Sequence, residues 1–224
     1  MSLRLQLSFQ GYWQVASGDG AGAFLDALAI KDAQGLPFVP GRQLKGLLRD
    51  AARVVRQAGV WQDLEQSLPG EANLEHCLFG SASQSEQEDR YHTEPGMLQI
   101  DSAVLSAQEQ QALRAHPYLI PELFEVLHST AIDSTTGTAR DKSLRGYEVA
   151  LPMTLEARVD WTVTALSGDM QARQQALIAQ KSLAELLEPL LPLVDAIGSQ
   201  RTRGLGEVVL SLQPEHATSA QESR

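Results

Sequence analysis

Cysteine occurs only once in the 224 residues, at Cys77, which excludes an internal disulfide framework and a thiolate metal cluster and fits a reducing compartment. Histidine is sparse as well: His76, His92, His116, His128 and His216 are scattered and match no metal-ligand spacing. No apolar run approaches the ~20 residues needed to span a bilayer. The opening MSLRLQLSFQ alternates apolar with polar residues where a signal peptide is continuously apolar. A soluble, cytoplasmic protein with no membrane partner is expected. A basic balance is lacking too, since 18 Lys and Arg stand against 28 Asp and Glu, a net charge of -10.

That deficit is local. Residues 61–125 carry 12 acidic and 2 basic side chains, whereas residues 1–60 carry 7 basic and 4 acidic. Outside the acidic block the chain is near neutral and its basic residues cluster. Two readings stand: a solvated acidic insertion in an ordinary domain, or a polyanion binder whose acidic block lies away from its ligand. With 43% apolar residues, the chain suffices for one large domain or two small fused ones.

RLQLSFQGYWQVA (4–16) alternates as a half-buried strand. After the glycine-rich SGDGAGAF, the segment FVPGRQLKGLLRDAARVVRQAG (38–59) predicts a helix entered through Pro40-Gly41. Leu44, Leu47, Leu48, Ala51, Val54, Val55 and Ala58 form its apolar face, with Arg42, Lys45, Arg49, Arg53 and Arg56 as a basic stripe opposite. Residues 60–96 read as irregular with short helices. MLQIDSAVL (97–105) predicts a strand, and SAQEQQALRA (106–115) a helix capped by Ser106 with Glu109. FEVLHSTAID (124–133) and SLRGYEVALP (143–152) are the arms of a hairpin joined by STTGTARDK. MTLEARVDWTVTAL (153–166) is a further strand, 169–196 a helix kinked or ended by Pro189 and Pro192, and EVVLSLQ (207–213) a closing strand. Trp13, Trp61 and Trp161 read as core or interface residues.

Stripped of insertions, the order is strand, helix, strand, strand, helix, strand. It predicts an α+β, modified ferredoxin-like (RNA-recognition-motif-like) fold in one domain spanning 1–213. An inserted helical or irregular segment at about 60–96, a protruding hairpin at about 126–150 and a disordered tail over 214–224 complete it.

Between the last helix and last strand lies IGSQRTRGLGE (197–207). Gly198, Gly204 and Gly206 permit backbone angles closed to other residues, so consecutive N–H groups can converge on an anion while Arg201 and Arg203 supply charge. A flexible turn explains the same residues equally well.

Three stretches shift that balance: LPFVPGRQLKGLLR (36–49), TAIDSTTGTARDKSLRGYEV (130–149) and IGSQRTRGLGEV (197–208). In that order they resemble the RAMP superfamily, the repeat-associated proteins of CRISPR systems, and within it the backbone subunit of type III RNA-targeting effector complexes. About half the chain carries the resemblance, and LFGS (78–81) adds a short family-like turn.

The resemblance implies a subunit for antiviral defence that binds guide RNA, meets target RNA and stacks with other copies of itself in a filament beside other type III effector subunits. Guide phosphates would lie on Arg42, Lys45, Arg49, Ser199, Arg201, Arg203 and Gly204. Such backbone contacts accept any guide sequence. The hairpin would be a thumb folding over the guide–target duplex, with Ile132, Asp133, Arg140, Lys142 and Arg145 at the target RNA.

In FLDALAIKDAQGLPFVPG (24–41), Asp26 stands where cleaving members carry an aspartate. The implied activity is an RNA-guided, metal-dependent endoribonuclease in which Asp26 holds Mg²⁺ or Mn²⁺ or positions the target's 2′-hydroxyl. Asp32 competes for that role, though it also reads as the head of a turn. The alternatives are a non-catalytic structural RNA-binding subunit, with Asp26 a loop carboxylate, and a guide-RNA-processing endoribonuclease using His128 or His92.

Overall fold

The computed structural model describes residues 2–18, 20, 25–81, 94–165 and 168–214. Leu3–Phe9 (β1) keeps the alternation of its sequence: Leu3, Leu5, Leu7 and Phe9 are buried, and Arg4, Gln6 and Ser8 between them are half-buried. Along the chain follow Gly41–Gln57 (α1), Gln62–Ser67 (α2), Leu74–Phe79 (α3), Leu98–Ile100 (β2), Ala107–Ala115 (α4), Phe124–Ser129 (β3) and Arg145–Ala150 (β4). Thr154–Trp161 (β5), Gly168–Gln180 (α5), Leu183–Leu187 (α6) and Val208–Pro214 (β6) complete the order.

Four strands form an antiparallel sheet in the order β2-β5-β1-β6. This is the ferredoxin-like arrangement: the first and third strands of the repeat are central, and each half contributes one edge. Leu5 is paired with Ala157 on one side and Leu212 on the other. The buried side chains of β1 share one core with Leu44, Leu48 and Val55 of α1, Leu177 of α5 and Leu186 and Leu187 of α6. Trp13 is buried there as well, stacked on Phe9 at 4.3 Å, and its indole N–H donates to the Leu151 carbonyl at 2.9 Å. Trp61 is also buried, and Trp161 packs at the core's margin.

Inserted between β2 and β5, the strands β3 and β4 make a separate two-stranded sheet, the hairpin expected from the sequence. The bridge between Trp13 and Ala150 ties its base to the main domain.

The strands expected over 4–16 and 153–166 end early, at Phe9 and Trp161, and two further elements depart from the sequence reading. The helix expected over 169–196 is divided into α5, α6 and a 3-10 segment Glu188–Leu193. The first break is a second capping box, in which Ser182 accepts from the Glu185 N–H and Glu185 reaches back to the Ser182 N–H. The strand expected over MLQIDSAVL shrinks to β2, because Gly41 presses against the backbone at Ile100 and Asp101 and takes the Ser102 hydroxyl as acceptor at 3.2 Å. The chain continues by single bridges, Ala103 to Val39 and Val104 to Glu156. The expected tail beyond Pro214, together with His92 and His216, lies outside the described residues.

Candidate nucleic-acid interface

Residues 25–31 run along the edge of β4. Ala27 bridges Tyr147 in parallel, and the Glu148 N–H donates to the Ala27 carbonyl at 3.0 Å. Farther along, Glu148 accepts from the Ala29 N–H at 3.1 Å and pairs with Lys31 at 2.7 Å. At the head of this segment Asp26 is exposed; its N–H donates to the Gly146 carbonyl, and its Oδ2 accepts from the Gly146 N–H. Asp32 is engaged differently. Its Oδ1 accepts from the N–H groups of Gln34 and Leu36 at 2.8 and 2.9 Å, the geometry of a turn-forming aspartate.

The glycine–arginine loop lies beside this segment. Gly198 and Gly206 have φ of 103° and 81°, and a Cβ at either would collide with backbone, the Gln14 carbonyl in the first case and the Ile197 carbonyl in the second. Gln200 is left-handed at φ 57° and is followed by a 3-10 turn, Arg201–Arg203, then by Gly204 at φ 84°. A left-handed residue next to right-handed ones turns successive N–H groups toward one side, as in an anion nest. Arg201 and Arg203 are exposed and have no ion-pair partner among the described residues.

Gln14 joins the two. Its carbonyl accepts from the Ser199 N–H at 2.7 Å, and its buried side chain donates to the Ala27 carbonyl at 3.3 Å. A second link runs from Gln200 to the Tyr147 phenol. Hydrogen bonding from the Ser129 hydroxyl, then from Gln200, together with the charge of Arg145, holds that phenol below its ordinary range although burial pushes it up. Gln14 and Tyr147 were not singled out from the sequence. Only a glutamine inside an otherwise apolar YWQV run hinted at the first.

The basic stripe of α1 divides. Arg42 is exposed in the first turn, which carries no acidic residue, and it borders an open cavity of about 300 Å³ lined also by Ser17, Pro40, Gln43, Gly198 and Ser199. A helix start without acids and with an arginine favours an anion. Lys45 and Arg49 are different. The Lys45 ammonium donates to the Leu98 carbonyl at 2.7 Å, and burial lowers its pKa. Arg49 binds Glu75 at 2.8 Å and the Gly80 carbonyl at 2.8 Å. Arg53 meets Glu75 and Asp50, and Arg56 meets Glu65. Lys45 and Arg49, expected at guide phosphates, hold α1 to β2 and α3 through these bonds. Two carboxylates of the acidic block, Glu65 and Glu75, are counter-ions of Arg49, Arg53 and Arg56 rather than solvated surface.

In the hairpin tip, Asp133 accepts from the Thr135 and Thr136 N–H groups, which chiefly hold its carboxyl below the usual range. Arg140 lies 3.6 Å from the same carboxylate. Ile132 and Leu144 are 60% and 69% exposed, and Lys142 and Arg145 are exposed too.

For a divalent cation the structure offers Asp26. Its Oδ2 is engaged by Gly146, its Oδ1 takes no hydrogen bond among the described residues, and no group of three or more His, Cys, Asp or Glu converges among them. One carboxylate oxygen fits an ion that keeps water and RNA phosphates as its other ligands, as Mg²⁺ does.

The ferredoxin-like domain thus carries an inserted hairpin, and its glycine–arginine loop and the start of α1 meet in one cavity. A sequence model of the RAMP superfamily matches residues 15–209, and the chain belongs to that superfamily. No curated protein matches it. Among solved structures, it is similar to a chain in a cryo-EM structure of the type III-B Cmr-beta complex bound to cognate target RNA, with a TM-score of 0.59 and 10% identity, over 95% of this chain and 97% of that one. A chain of the apo-state Cmr-beta structure gives a TM-score of 0.57 and 10% identity, over 96% and 98%. Among the described residues no helix is long and apolar enough to cross a membrane.

Proposed function

We propose that this protein is a backbone subunit of a type III CRISPR effector complex that holds guide RNA by its phosphates and cuts the paired target RNA. Arg42, Ser199, Arg201, Arg203 and Gly204 form the guide-facing surface, with Arg145 continuing it onto the hairpin. Ile132, Asp133, Arg140 and Lys142 belong to the part of the hairpin that meets the target. The partners are guide RNA, target RNA, further copies of the chain and other type III subunits.

The observation that carries the reading is the placement of Asp26. It is exposed, it is fastened to Gly146 near the tip end of the paired strands, and Gln14 ties its segment to the glycine–arginine loop. A target strand passing under the hairpin would bring a 2′-hydroxyl to this carboxylate, which orients it against the adjacent phosphorus and accepts its proton. A Mg²⁺ or Mn²⁺ ion held by Asp26 would supply charge neutralisation for the phosphate. A second reading, a scaffold without chemistry, draws on the Gly146 hydrogen bond, which gives Asp26 a structural task of its own.

A complex assembled on guide RNA and given labelled complementary target, with and without Mg²⁺ or Mn²⁺, separates the two. Regularly spaced cuts that require metal and vanish in Asp26→Asn support the enzyme. Target binding without cuts in wild type leaves the scaffold.

A further inference from the structure

We propose that His128 is a second catalytic group at the Asp26 site, the general acid that protonates the departing 5′-oxygen of the target. The proposal rests on the assignment of cleavage to Asp26. In the hairpin His128 is paired directly with Gly146, and Gly146 is bonded along its other edge to Asp26 in both directions. His128, Gly146 and Asp26 thus form one row across three adjacent segments. Strand alternation puts His128 on the same face as Val126, opposite Leu127 and Tyr147.

Gly146 is buried and has no side chain to raise between its neighbours, while His128 and Asp26 are both exposed. Their backbones are two strand spacings apart, ~10 Å. That gap admits a phosphodiester between two side chains. The charged groups nearby on this face, Lys31 and Glu148, pair with each other at 2.7 Å. His128 has no hydrogen bond or ion pair among the described residues.

In-line cleavage needs a proton acceptor and a proton donor on opposite sides of phosphorus. The 2′-oxygen bonds to phosphorus and its proton passes to the Asp26 carboxylate. The bond from phosphorus to the 5′-oxygen breaks, and the His128 imidazolium gives that oxygen a proton. The products are a 2′,3′-cyclic phosphate and a 5′-hydroxyl, and solvent reverses both proton transfers. Imidazole is the side chain suited to such exchange near neutral pH.

The test uses guide-loaded complexes carrying wild type, Asp26→Asn, His128→Ala or His128→Gln. Each receives a target with an ordinary linkage, or with sulfur in place of the 5′-oxygen at the cut position; sulfur leaves without a proton. Both His128 variants should slow the ordinary target about 10²-fold or more, cut the sulfur target near the wild-type rate, and bind target normally. Asp26→Asn should be slow on both. Unimpaired cutting by the His128 variants, or equal impairment on both targets, overturns the role of His128 and leaves Asp26 standing. A wild type that does not cut, or an Asp26→Asn complex that cuts fully, overturns the underlying reading and this proposal with it.

Discussion

Asp26 and Gly146 are hydrogen-bonded twice, backbone N–H to carbonyl at 2.9 Å and, in return, backbone N–H to carboxylate at 2.9 Å. The carboxylate both fastens the loop to the hairpin and exposes its other oxygen. An asparagine can keep the fastening while removing the charge, whereas alanine removes both.

Asp26→Asn should therefore abolish target cutting with thermal stability close to wild type. Asp26→Ala should abolish it at an added cost of about 1 kcal/mol, the net worth of one hydrogen bond. Melting curves beside a cleavage assay check this. Equal melting of the two variants means the carboxylate does not hold the loop.

Glu75 is nearly buried between Arg49 and Arg53. Burial pushes its carboxyl up, but the two guanidiniums outweigh burial and leave it below its ordinary range. Glu75→Gln should cost about 2 kcal/mol at neutral pH, most of it through Arg49, since Arg53 is partly screened by water. A carboxyl with a depressed folded pKa stabilises above its unfolded value, ~4.3 for glutamate, and loses that contribution as pH falls through the folded value. The gap between wild type and variant should be full at pH 7 and close below about pH 4, as urea unfolding at several pH values would show.

The divided stripe of α1 separates two kinds of arginine. Arg42→Ala, Arg201→Ala and Arg203→Ala should weaken guide binding uniformly across sequences and each lower the salt slope by about 1, with stability unchanged. Arg49→Ala should lower stability and leave the slope alone. Titrations at several salt concentrations distinguish them. A slope change for Arg49→Ala restores it to the guide-facing surface.

Glycine substitutions in the loop should rank by what stands nearby. At Gly204 an added methyl meets nothing within 4 Å, so Gly204→Ala carries only the left-handed backbone penalty, about 1–2 kcal/mol. Gly198→Ala and Gly206→Ala add a backbone collision and should cost more. Denaturant midpoints test the order, and equal costs at all three positions would refute it.

Local patterns in the sequence carried far. The alternation of β1 and the Ser106–Glu109 capping box appear as read, and on α1 Leu44, Leu48, Ala51 and Val55 are buried as expected while Val54 and Ala58 are exposed and Ala52 is buried instead. Their causes lie within a few residues, so one chain suffices to show them. The second capping box, Ser182–Glu185, is just as local but was hidden inside a run of helix-forming residues. What could not be read is distant pairing. Lys45 and Arg49 look identical to Arg42 on a helical wheel, and only Leu98, Glu75 and Gly80, far along the chain, set them apart. The same is true of Asp26, whose partner is 120 residues away.

The central place of β1 has a consequence for how the chain is made. β1 pairs with β5, which ends at Trp161, and with β6, which ends at Pro214. The hairpin pairs strands joined by residues 130–144 and can form while the ribosome is still translating, but the sheet must wait for more distant strands. The glycine–arginine loop is set only when β6 is laid down beside β1. The surface proposed to face the guide is thus the last to take shape during synthesis, so a chain halted before β6 would display a hairpin with no loop beneath it.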